Sequence, residues 1–201
     1  MRERGVGLAT AGHNLIYFAT TKGSSGTMTE ADITRLLDEY RASVKEMFAK
    51  GSSDLADNSS GRHAAILIEE MILHAERSFV AFSGTMNPEV WNGQVMAALE
   101  DAVNRGVDVK LVVEKTCEPI SRNTMPASLR AHVRKLGPNV PENVRAILSH
   151  CASGDAKSMR VETDPVRKTA IFSANRPEMS ENVTSIVDGL YSMSSRYSDV
   201  A

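Results

Sequence analysis

The sequence predicts an α/β protein: a mixed, largely parallel sheet with helices on both faces, preceded by a helical N-terminal appendage. Three observations carry this. Ser78–Ser83 (SFVAFS) and Val107–Val113 (VDVKLVV) are short, almost unbroken apolar runs, the kind that form strands buried on both sides. Amphipathic segments with apolar residues three and four apart alternate with them, which calls for right-handed crossovers and parallel neighbours. A late pair of β-favouring runs, Met159–Thr163 and Thr169–Ser173, is split by a turn at Asp164-Pro165 and makes the sheet mixed.

The chain reads as three parts: residues 1–50 (arm and helix), 51–61 (linker) and 62–201 (the α/β domain). Val6–Thr10 and Asn14–Thr20, split by Ala-Gly-His, form either a hairpin or a strand on the edge of the main sheet. Thr27–Lys50 is the strongest helix. Thr27-x-x-Glu30 makes a capping box, and Ile33, Leu36, Leu37, Tyr40, Val44, Met47 and Phe48 line one stripe that ends at Gly51. That stripe must be buried, either on the main domain or against the same helix of a second chain. Residues 51–61 (GSSDLADNSSG) have the composition of a flexible linker.

Beyond the linker the elements follow in order: helix Ala64–Glu76, strand Ser78–Ser83, helix Trp91–Arg105, strand Val107–Val113, helix Ala127–Leu136, strand Asn143–Ser149, the late hairpin, and a last helix Ser180–Tyr197. Pro177 stops the final strand and Ser180 caps the helix.

Bulk properties narrow the function classes. A net charge of −2 gives no global attraction to nucleic acid or to an anionic membrane. No apolar run approaches the roughly 20 residues of a membrane span, and no leader is evident. Cys117 and Cys151 are far apart in sequence, as expected of reduced thiols in a cytoplasmic protein. The five histidines have no metal-ligand spacing, so neither a metal nor a cofactor is expected. Arg130, Arg134 and Lys135 recur on one face of the helix read over 127–136, a basic patch diluted by Glu114, Glu118 and Glu142.

The stretch Ala156–Asn182 resembles the second half of the phospholipase D-like signature, in which His-x-Lys lies on one strand, Asp follows near its end, and Gly-Ser-x-Asn closes the next strand. Laid back from Asp164, the His position falls on Lys157 and the Lys position on Met159. Phe172-Ser173-Ala174-Asn175 replaces Gly-Ser-x-Asn, with one extra residue after Asp164. The resemblance implies one half of an enzyme fold that needs two halves, hence a homodimer. It also implies phosphodiester cleavage through a phosphohistidine. Lys157 cannot supply that chemistry, because an ordinary lysine is protonated near neutrality and has no lone pair to offer.

The expected role is therefore a non-catalytic module that binds a phosphate-bearing ligand, nucleic acid or a partner protein in a regulatory setting. Lys157, Asp164, Ser173, Asn175 and Arg176, with Ser83 from the first strand end, form the expected binding set. Two alternatives stand beside it. One is a homodimeric phosphodiesterase or nuclease using His150. The other is the sensor of a transcription regulator: the N-terminal runs resemble the wing of a winged helix, and some archaeal sugar-responsive regulators join a winged helix, a helical linker and a phospholipase D-like module in that order.

Overall fold

The structure, a computed structural model, describes residues 29–58, 60–121, 123–145, 148–164, 167 and 169–197. The hairpin read at 6–20 and the capping position Thr27 lie outside the described residues.

Helix α1 (Glu30–Lys50) takes its cap two residues later than expected. Thr29 is its cap, and Asp32 completes the reciprocal capping box. Gly51 closes the helix at φ 57°, a left-handed conformation that a residue with a Cβ adopts only with strain. The helix lies along α2 (Gly61–Leu73) of the same chain, which buries the C-terminal half of its stripe in cis, while Leu36 near its start stays exposed. Tyr40, Val44 and Met47 are all buried, and each contributes about 2 kcal/mol of apolar burial. Polar contacts fasten the same seam. Arg41 Nη1 donates to Glu69 (2.8 Å) and to the buried carboxylate of Glu70 (3.2 Å). The Tyr40 ring stacks on His63 at 4.1 Å.

Residues 51–61 are not a free linker, because they contain β1 (Ala56–Asn58), which pairs antiparallel with β7 (Thr169–Ser173). The other strands are β2 (Ser78–Ser83), β3 (Asp108–Val113), β4 (Val133–Lys135), β5 (Cys151–Gly154), β6 (Ser158–Asp164) and β8 (Ser195–Arg196). They form one sheet in the order β1-β7-β6-β5-β2-β3-β4-β8. The α/β class and the mixed sheet are as expected. Parallel pairing, however, is confined to β2-β3-β4, so the sheet is not largely parallel.

Two elements differ from the sequence reading. Residues 127–136, read as one helix, split into a short α5 (Ala127–Arg130) and strand β4. Val133 is fully buried in the sheet, and β4 takes the third parallel position that had been given to 143–149. That latter stretch holds the helical turn α6 (Glu142–Arg145) instead. Among the remaining helices, α3 (Gly93–Asn104) follows β2, and α4 (Glu118–Ser121) follows β3. The last helix, α7 (Pro177–Ser192), starts at Pro177 with Arg176 as its cap. Ser180 lies inside it, and its hydroxyl donates to the Lys157 carbonyl at 2.6 Å.

The helices divide between the two faces. Helices α1, α2 and α3 cover the face built from Phe79, Ala81, Leu111, Ala152 and Phe172. Helix α7 covers the other face with Val183, Val187 and Leu190, set against Val80, Phe82, Val112 and Met159. Both cysteines are free and buried, and burial pushes each thiol up to about 11.

Candidate functional site

Strand direction decides which residues can meet. Strand β6 runs parallel to β2, with β5 antiparallel between them. The ends of β2 and β6 and the start of β5 therefore share one rim of the sheet. The start of β6 and the end of β7 share the opposite rim.

The expected binding set is split by this topology. Ser83 and Asp164 lie on the first rim, and Lys157, Ser173, Asn175 and Arg176 on the second. On that second rim the polar groups serve the backbone. Ser173 is fully buried, and its hydroxyl reaches the Ser52 carbonyl at 3.5 Å. Asn175 Nδ2 donates to the Gly51 carbonyl at 3.2 Å. The Arg176 N–H donates to the Lys157 carbonyl at 2.7 Å, while the Lys157 side chain is exposed at the β5–β6 turn. Asp164 accepts from the Arg167 N–H at 3.0 Å, closing the next turn. These six residues do not form one crevice. The basic helix face at 130–135 is also absent: Arg134 donates to the Tyr191 carbonyl at 3.0 Å and lies over the Tyr191 ring.

The crevice is on the first rim. It is a cleft of about 170 Å³ between β2, β5, β6, α2 and the loop after β2, with Ala64, Ile68, Phe82 and Trp91 among its walls. His150 stands at its mouth with its imidazole held at both nitrogens. Nδ1 is 3.2 Å from a Glu162 carboxylate oxygen, and the Gly84 N–H donates to Nε2 at 3.0 Å. The amide can only donate, so Nε2 carries the lone pair and Nδ1 the proton. A Cβ on Gly84 would sit 3.0 Å from Nε2, so a larger residue would make the ring give by a few tenths of an ångström. Ser83 ends β2 beside it, and its hydroxyl accepts from the Met86 N–H at 3.2 Å. Met86 is buried with φ 51°, an uncommon conformation for a bulky residue and one tied to the wall of the cleft.

Ala152 follows two residues after His150 on the same face of β5, and Arg160 of β6 is its direct cross-strand partner. Arg160 is 7% exposed. Its Nη2 donates to Asn58 Oδ1 at 3.0 Å, and its Nε N–H meets no acceptor among the described residues. Burial lowers its pKa, opposed by the nearby Glu162 carboxylate. At the other end of β5, Asp155 ties the α2–β2 junction. Its carboxylate accepts from the backbone N–H groups of Glu76, Arg77 and Ser78 at 2.8–2.9 Å. Burial would raise its pKa, but these donors outweigh burial and hold the group below its ordinary value.

Sequence reasoning singled out Ser83 and His150 and missed Glu162, Ala152, Asn58 and Asp155. Arg160 was not among the residues of the expected binding set either. The available signal was the polar alternation His150-x-Ala152 and Arg160-x-Glu162 on two neighbouring strands, each placing its residues on one face. Among the described residues, no cluster of His, Cys, Asp or Glu could hold a metal ion, and no helix is long and apolar enough to cross a membrane.

No protein-family model and no curated protein matches the chain. Solved structures do. NucT from Helicobacter pylori is similar over 72% of this chain and 100% of its own, at 11% identity and a TM-score of 0.50. TrmBL2, an archaeal chromatin protein with a novel mode of DNA binding, is similar over 83% of this chain and 64% of its own, at 10% identity and a TM-score of 0.56. Nuc from Salmonella typhimurium, a phospholipase D family member, covers 72% of this chain and 96% of its own at 20% identity, with a TM-score of 0.46 that carries no argument. At these identities the likeness is one of fold, and together with the strand order above it identifies the architecture: this chain has a phospholipase D-like fold.

Proposed function

We propose that the chain is a non-catalytic, ligand-binding module of a regulatory protein that acts on DNA. The observation that carries this reading is the residue at position 152. When the His-x-Lys…Asp pattern is laid on His150 at the start of β5 rather than on β6, with the same spacing, it falls on His150, Ala152 and Lys157. The imidazole alone is then in place: a methyl group stands where an ammonium would hold phosphoryl charge, and Lys157 stands where the carboxylate would be. Stabilising that charge is the main task of a phosphoryl-transfer site, and losing one such group costs on the order of a hundredfold in rate or more. The lone pair that would attack phosphorus also already accepts a hydrogen bond from Gly84.

The regulatory half of the reading rests on α1 and on TrmBL2. The likeness to TrmBL2 covers more of this chain than residues 51–201 could supply, so it extends into the segment that holds α1. Helix α1 packs on α2, the helix that supplies Ala64 and Ile68 to the cleft, and Tyr40 stacks there on His63. Two free cysteines fit a reducing, cytoplasmic setting. A single half-fold per chain supports a homodimer, which light scattering tests. A monomer at high concentration counts against it.

A second reading, a homodimeric phosphodiesterase, is favoured by one feature, the His150–Glu162 pair. One assay separates the two. The full chain is incubated with single-stranded DNA, duplex DNA and a chromogenic phosphodiester. The expected result is no cleavage above background. Turnover that disappears in His150→Ala overturns the proposal and installs the second reading.

A further inference from the structure

We propose that the cleft on the His150 rim binds a small organic monocarboxylate with an apolar tail. This rests on the reading above, that the cleft holds a ligand rather than cutting one.

Arg160 is the starting point. Among the residues lining the cleft it is the single permanent cation, it is more than nine-tenths buried, and its Nε N–H lacks an acceptor among the described residues. A buried donor without a partner is uncommon in folded proteins and calls for an explanation. Asn58 occupies Nη2 and fixes the guanidinium plane. Directly across the ladder stands Ala152, whose methyl group fills little of the space a longer side chain would take. A planar guanidinium with an unused N–H matches a planar carboxylate through two parallel hydrogen bonds.

Charge then selects the ligand. Glu162 is two residues from Arg160 on the same strand face, and Glu89 lies on the rim. Glu162 and Glu89 already offset the one cation, so a phosphate dianion is disfavoured more strongly than a single carboxylate, which must take its charge partner from Arg160 at close range. The remaining walls, Ala64, Ile68, Phe82 and Trp91, are apolar and enclose room for a short aliphatic chain. Burying that chain supplies binding free energy, and the guanidinium fixes its orientation.

Titration calorimetry on the full chain, with 4-methylpentanoate as the probe, tests this. Two controls are 4-methylpentanol, which has the tail without the charge, and inorganic phosphate, which has charge without the tail. The acid is expected to bind in the submillimolar range and both controls to fail. Arg160→Met should weaken the acid at least about tenfold. Ala152→Leu, which fills the space over the guanidinium and leaves Arg160 in place, should do the same. That second variant keeps the test decisive if Arg160→Met does not fold by circular dichroism. No heat with the acid, tighter binding of phosphate, equal binding of the alcohol, or unchanged binding in a folded variant would each overturn the proposal. The cleavage assay above is independent of all four outcomes, so failure here is distinguishable from failure of the non-catalytic reading.

Discussion

Ala152 and Arg160 face each other across the β5–β6 ladder, the smallest side chain of the row against its one cation. The cation is held by Asn58 of β1, which is 1% exposed and also donates through Nδ2 to the Ser60 carbonyl at 3.1 Å. Asn58→Leu would leave Arg160 Nη2 buried without an acceptor. We expect a loss of about 2–4 kcal/mol in urea unfolding, because an orphaned buried charge costs more than the bond it has lost. A change below about 0.5 kcal/mol would mean that the guanidinium finds another partner.

Gly84→Ala tests the posture of His150. The glycine φ is unexceptional, so the backbone tolerates alanine, but the new Cβ would press on Nε2 at 3.0 Å. The imidazole should swing away from the Gly84 amide and lose the proton arrangement that amide imposes. Nitrogen NMR of the histidine ring reads this directly. An unchanged Nδ1-protonated spectrum would show that the amide contact does not set the tautomer.

Asp155→Ala removes three backbone acceptor contacts at once. We expect a cost of about 2 kcal/mol, less than three full bonds because the carboxylate is partly hydrated. The sign of the pH effect follows from the lowered pKa. The wild-type advantage is complete above the unfolded carboxylate value of 3.8 and is lost as pH falls through the lower folded value. Stability curves of wild type and variant should therefore converge in strong acid and run parallel at neutral pH.

His63 moves stability in a different window. Burial lowers its pKa below the ordinary 6.5. Below that value the unfolded chain takes up a proton that the folded chain refuses, so stability falls as pH drops from 6.5 toward the folded value. His63→Phe keeps a ring for Tyr40 to stack on and removes the titration. Its stability relative to wild type should rise as pH falls from neutral through 6.5 toward the lower folded value. A flat difference would place the acid sensitivity elsewhere.

Much of the fold was legible because periodicity is a strong signal. The apolar run of β2 and the stripe of α1 each declared their element within a few residues. Strand β4 was not legible. Val133-Arg134-Lys135 has three residues, one of them apolar, and the amphipathic spacing of the preceding segment absorbed it into a helix. The cleft was not foreseen for a related reason. Cys151–Gly154 contains cysteine, alanine, serine and glycine, which have little β-branched character, so it was not read as a strand. Without β5, the signature was laid on the next hairpin, and the residues taken from that hairpin's start and end lie on the rim opposite the cleft. His150 drew attention as a histidine, but its partner Glu162 needed the register of two strands to be found.

Among the described residues the sheet is bordered by very short strands, three residues in β1 and two in β8. A short margin offers few unsatisfied main-chain groups to a neighbour, which is one way proteins discourage unwanted stacking of one sheet onto another. Two copies of this chain that associate would then have to do so through side-chain surfaces of helices and rim loops. Their partnership would be sensitive to surface substitutions there and indifferent to changes at β1 or β8.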